Sequence, residues 1–82
     1  GFLDAFKDGV KFDVILCNMI RSELWPLRDD IEDLLAKGGE LIISGQLVTE
    51  KEYVLKWFDE IGLKVKTERV SGEWWSVLAV NG

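Results

Sequence analysis

The chain has 82 residues, enough for one domain with about 60% of its surface buried in a single thin core. Hydrophobic residues are 48% and charged residues 30%, a globular balance that excludes a disordered tail. The net charge of −5 repels phosphate backbones and anionic bilayers, so neither nucleic acid nor membrane is expected as a general partner.

Phe2, Leu3 and Phe6 share one face of a short helical turn over residues 2–7, closed by Gly9. Phe12-Asp13-Val14-Ile15-Leu16-Cys17 follows as a strand. Its run from Val14 to Cys17 has no polar alternation, the pattern of a strand covered on both faces of a parallel sheet. Leu24, Leu27, Ile31, Leu34 and Leu35 then recur at three- and four-residue steps, predicting a helix from Ser22 to Lys37. Pro26 belongs in its first turn, or else the helix proper starts there. Gly38-Gly39 ends it, with Gly38 as the left-handed cap. Asp29, Asp30, Glu32 and Asp33 read as its solvated face rather than as a metal or partner site.

Glu40 to Gly45 is a second strand, and Ser44-Gly45 permits close backbone approach at its end. Thr49-Glu50-Lys51-Glu52 has the form of a capping box, with Glu52 reaching back to the Thr49 amide. The helix from Glu50 to Ile61 is expected to bury Tyr53, Val54, Trp57, Phe58 and Ile61, and to stop at Gly62. Lys64 to Val70 alternates and carries Lys64, Lys66, Glu68 and Arg69, which marks an exposed edge strand. Ser71-Gly72 turns the chain into Trp74 to Val80. Val77 to Val80 is continuously apolar, so this last strand is central. Trp74 and Trp75 must face opposite ways. One packs under the helices, and the other lies on the uncovered face or at a ligand rim. Trp25 packs, or borders a substrate.

The lone Cys17 cannot form an internal disulfide and reads as a small buried hydrophobe, which suits a reducing, cytoplasmic setting. Gly1-Phe2-Leu3-Asp4 lacks the basic start and apolar run of a signal peptide. No run approaches the roughly 18 apolar residues of a membrane-spanning helix. The chain has no histidine, which removes zinc-finger, Ser-His-Asp and Cys-His chemistry and leaves no metal site to name.

Two strand–helix–strand crossovers give parallel neighbours. Inserting the buried fourth strand between the second and the charged third gives a two-layer α/β sheet in the order 1-2-4-3. Only strand 4 is antiparallel, and both main helices lie on one face. The other face then has no helix, although the continuously apolar strands ask for two covered faces. A single domain over residues 1–82 therefore reads as half of something larger. Its missing cover is either further chain or a second copy, the latter as a homodimer.

A parallel sheet ending in an inserted antiparallel hairpin resembles the C-terminal half of class I S-adenosylmethionine-dependent methyltransferases, a partial Rossmann-like sheet. Phe12 to Ile20, with Asn18-Met19-Ile20 and Pro26, is similar to that fold's fourth strand. Lys37-Gly38-Gly39, then Leu41-Ile42-Ile43-Ser44-Gly45-Gln46-Leu47, and finally Glu73-Trp74 sharpen the resemblance to one branch. That branch is the ribosomal-protein lysine methyltransferase family acting on large-subunit protein eleven. Its members carry Asn-Ile-Leu, Lys-Pro-Gly-Gly and Ser-Gly-Ile-Leu segments. Here Cys17 stands where alanine is usual, Met19-Ile20 replaces Ile-Leu, Ala36 replaces a lysine and Lys37 takes the proline position.

The resemblance implies that Asn18, closing its strand, contacts S-adenosylmethionine, and that a ribosomal protein is the substrate of the parent enzyme. No catalytic residue is implied. Read from its position alone, Asn18 is a turn residue satisfying its own backbone. The family's glycine-rich loop after its first strand, and the acid that holds the cofactor ribose, have no counterpart in the sequence. The isolated chain is therefore expected to bind cofactor weakly or not at all, and to be catalytically inactive.

Overall fold

The computed structural model describes residues 11–82, so the helical turn expected over residues 2–7 lies outside the described residues. In chain order the elements are β1 (Phe12–Asn18), α1 (Arg21–Leu24), α2 (Arg28–Leu34), β2 (Leu35–Leu47), α3 (Lys51–Ile61), β3 (Leu63–Ser71) and β4 (Trp74–Asn81). The four strands form one sheet in the order β1-β2-β4-β3. β1 runs parallel to β2, and β4 runs antiparallel to both its neighbours. Charge placed the edge correctly. Only Leu63 of β3 is buried, whereas Trp75, Val77 and Ala79 of β4 are.

The helices cover one face. Leu24 and Ile31 pack in the same core as Val54, Trp57 and Phe58 of α3, against Cys17, Ile43 and Val77 from the strands. Each such side chain contributes about 1.5–3 kcal/mol by leaving water. Rings join the two helical regions: Trp25 meets Trp57 edge-on at 6.2 Å and Tyr53 at 6.4 Å. On the opposite face Val14 is 55% exposed and Leu16 68% exposed. Within the described residues β1 is thus covered on one face only, not on both as its unbroken apolar run suggested.

The first helix differs from its expected form. It is not continuous over Ser22 to Lys37. A 3₁₀ turn, Trp25–Leu27, separates α1 from α2. Pro26 lacks the amide that would bond four residues back, so the turn tightens there. Arg28 Nε donates to the Trp25 carbonyl oxygen at 3.0 Å. Helix α2 stops at Leu34, because Leu35 is already extended (φ −81°, ψ 119°). The side-chain amide of Asn81 donates to the Leu35 and Ala36 carbonyl oxygens, both at 3.2 Å. Carbonyls that would have faced water at a helix end are therefore satisfied from the last strand. Gly38 does have a left-handed φ of +79°, but it lies inside β2 rather than capping a helix.

The start of α3 also shifts. Thr49 is not the cap, and Glu52 does not reach back. Glu50 does so instead, accepting from the Leu47 amide at 3.4 Å across the 3₁₀ turn Val48–Glu50. Glu23 accepts from the Ile20 amide at 3.3 Å in the same way ahead of α1. Val54, Trp57 and Phe58 are buried as expected, Ile61 is half-buried, and Tyr53 is exposed. Helix α3 ends at Gly62, whose φ is +79°. Lys51 is tied to β3 by a 2.9 Å ion pair with Glu68, and the Trp75 indole N–H donates to the same carboxylate at 3.0 Å. The Lys51 hydrogen bond, and then that of Trp75, hold the Glu68 carboxyl below its ordinary pKa.

Candidate functional site

The parallel strands β1 and β2 end side by side, with Asn18 opposite Ser44 in the register. Ligands of open α/β sheets sit beyond such carboxyl ends. Asn18 is exposed there. Among the described residues nothing hydrogen-bonds its side-chain amide, so it is not a turn residue satisfied by its own backbone. One donor-and-acceptor group is left open to solvent at the strand end.

Three contacts shape the loop that carries it. The Met19 amide donates to the Ser44 carbonyl oxygen at 3.1 Å. The Met19 carbonyl oxygen accepts from Gln46 Nε2 at 2.5 Å. Gly45 fits between them at φ +83°, and a Cβ on it would lie 3.2 Å from Asn18 Oδ1 and 3.2 Å from the Met19 oxygen. Ser44-Gly45 does permit the close backbone approach read from the sequence. Gln46 was not foreseen. It is 0% exposed, and its Oε1 has no hydrogen-bond partner among the described residues. The signal for it was an amide interrupting the apolar run from Leu41 to Leu47.

Beside the loop opens a cleft of about 350 Å³, lined by Ile20, Arg21, Ser22, Trp25, Leu47, Glu50 and Trp74. Trp74 is 47% exposed on its rim, while Trp75 is 1% exposed in the core. The two adjacent indoles do face opposite ways. Arg21 closes one wall, paired with Glu50 at 3.0 Å and stacked 4.4 Å from the Tyr53 ring centroid. Arg28 lies 4.3 Å from the Trp25 ring centroid. Trp25 is half-buried, so it both packs and borders the cleft. Trp25 and Trp74 give the cleft two aromatic walls, and its two charged lining residues, Arg21 and Glu50, are paired with each other.

Cys17 is buried, and burial pushes its thiol pKa up, which favours the unreactive protonated form. Among the described residues no group of three acidic or thiol side chains is placed to hold a metal ion.

Residues 3–81 match the family described as Ribosomal protein L11 methyltransferase (PrmA). The chain is 34% identical over 64 residues to the ribosomal protein L11 methyltransferase of Geotalea uraniireducens, covering 78% of this chain and 20% of that protein. It is 36% identical over 64 residues to that of Geobacter metallireducens, covering 78% and 21%. It thus spans about one fifth of the length of these curated relatives. Among solved structures, it superposes on a ribosomal protein L11 methylase from Lactobacillus delbrueckii subsp. bulgaricus with a TM-score of 0.79 at 21% identity, over 87% of this chain and 37% of that one. It superposes on an M1.HpyAVI–SAM complex at 0.75 and 17% identity, over 98% and 49%. These likenesses show the fold, a Rossmann-like methyltransferase sheet.

Proposed function

The chain belongs to the ribosomal protein L11 methyltransferase family, and from that premise we propose that it supplies one wall of the S-adenosylmethionine site of a protein lysine methyltransferase. The observation that carries this reading is the exposed Asn18 amide at the end of β1, unpartnered among the described residues and set against Gly45. S-adenosylmethionine, when bound, supplies a sulfonium-activated methyl group. Asn18 can then donate to an oxygen and accept from an N–H at once, which suits it to orient a cofactor or an incoming amine. A transfer of this kind asks the protein mainly for alignment, so the lack of histidine is no obstacle.

The chain spans about one fifth of its curated relatives, and no glycine-rich strand–loop–helix unit precedes Asn18 in its sequence. Both points support weak cofactor binding and no catalysis by these 82 residues alone. The acceptor in the proposed reaction is a lysine of a ribosomal protein.

The test is an NMR titration of isotope-labelled chain with S-adenosylhomocysteine. Saturable shifts are expected at Asn18, Met19, Ser44 and Gly45, and Asn18→Ala should raise the dissociation constant about tenfold, equivalent to about 1.4 kcal/mol. A spectrum indifferent to millimolar ligand would count against a cofactor site in this chain. Equal affinity of the variant would remove Asn18 from it.

A second reading rests on Val14 and Leu16, which leave an apolar strip on the outer face of β1. Two copies could pair these faces as a symmetric dimer. Sedimentation velocity decides it: a monomer at every concentration up to the millimolar range would discard this reading.

A further inference from the structure

Inward positions of β2 are otherwise apolar. Leu41 and Ile43 face the helices, fully buried. After the bulge at Gly45, the next inward residue is Gln46, opposite Trp75 in the register. A leucine or methionine would fill this position without burying a polar group. Gln46 instead places an amide there, and its Oε1 finds no partner among the described residues. A buried acceptor left open costs stability, so core packing alone does not account for this residue.

Its Nε2 accounts for it. That group donates to the Met19 carbonyl oxygen at 2.5 Å. Turning the amide over would set oxygen against oxygen, so the Met19 carbonyl dictates the orientation. Both backbone groups of Met19, and so the two successive peptides that follow Asn18, are then held: the Met19 N–H by the Ser44 carbonyl oxygen, the Met19 oxygen by Gln46. Gly45, whose missing Cβ leaves room for Asn18 Oδ1, completes the seat. We propose that Gln46 is a positioning residue, whose hydrogen bond to the Met19 carbonyl fixes the conformation of the loop that presents Asn18. The role assigned to that loop rests on the cofactor-site reading above, but the bond and its consequence for loop order do not.

Gln46→Met and Gln46→Glu in the 82-residue chain test it. Gln46→Met should melt near the wild-type temperature, since it removes an orphaned acceptor together with the hydrogen bond to Met19. Its Met19 amide should nonetheless exchange with solvent about tenfold faster, and backbone order parameters should fall at Asn18, Met19 and Ile20. Gln46→Glu adds a signature that packing alone would not produce. Its carboxyl donates to Met19 only when protonated, and burial raises its pKa. Loop order should therefore return on acidification from about pH 8 to about pH 6 in Gln46→Glu and not in Gln46→Met. Unchanged order and exchange at residues 18–20 in Gln46→Met would overturn the proposal. A loosened loop with no S-adenosylhomocysteine binding even by wild type would support the positioning role and sink the cofactor-site reading instead.

Discussion

Trp75→Ala is expected to remove about 3–5 kcal/mol of stability, the usual cost of emptying a large aromatic site. A domain of this length has about 4–12 kcal/mol in total, so the loss lowers the melting temperature by roughly 15–30 °C or leaves the chain unfolded at 37 °C. Trp75 is 1% exposed on the central strand β4. Its indole N–H also anchors Glu68, the carboxylate to which Lys51 of α3 is paired. One truncation therefore opens the core and loosens the tie between α3 and β3. Trp74→Ala is the matched control. That ring is 47% exposed on the cleft rim, and its removal should cost only about 1 kcal/mol. Thermal melts followed by circular dichroism make the comparison. Equal losses from the two variants would contradict the assignment of Trp75 to the core and Trp74 to the rim.

Gly45→Ala should damage the candidate site more than its small size suggests. At φ +83° an L-residue is strained, a cost of about 1–2 kcal/mol. The added methyl would also lie 3.2 Å from both Asn18 Oδ1 and the Met19 oxygen, closer than ordinary contact. Asn18 or the Met19 peptide must then move. Gly72→Ala provides the comparison, because Gly72 has a φ of +61° and nothing within 4 Å of the new methyl. Urea denaturation should show the larger loss for Gly45→Ala. Amide shift changes should reach residues 18–20 in that variant, and stay near the β3–β4 turn in Gly72→Ala. Identical losses, with residues 18–20 unmoved, would show that Gly45 answers to backbone conformation alone.

Much of this arrangement could be read from local pattern. Lys64, Lys66, Glu68 and Arg69 marked β3 as the edge, and the unbroken run Val77 to Val80 marked β4 as central. Those two statements were enough to insert β4 beside β2. Asn18 could be placed at a strand end by the apolar run before it. The extent of the first helix could not be read in this way. Its stop at Leu34 involves carbonyls bonded by Asn81, 46 and 45 residues further along, and no helical periodicity carries that information. Tyr53 fits the apolar stripe of α3, yet it is exposed beside Trp25 and Arg21. A stripe records polarity, not where the neighbouring helix leaves off.

By itself, then, the sequence determined the strand order, the one-sided helical layer, the family and the strand end at which Asn18 stands. The strand order, the helical layer and the strand end follow from residue type and spacing along the chain, and the family from the resemblance of its motifs. Only the tertiary structure decided that Gln46 bonds Met19 across 27 residues, that the Asn18 amide is left without a partner among the described residues, and that Trp74 rather than Trp75 borders the cleft. Hydrogen bonds and close approaches between distant segments depend on which backbones the sheet brings together, and a β-bulge such as that between Ile43 and Gln46 redirects side chains in a way that residue spacing alone does not encode.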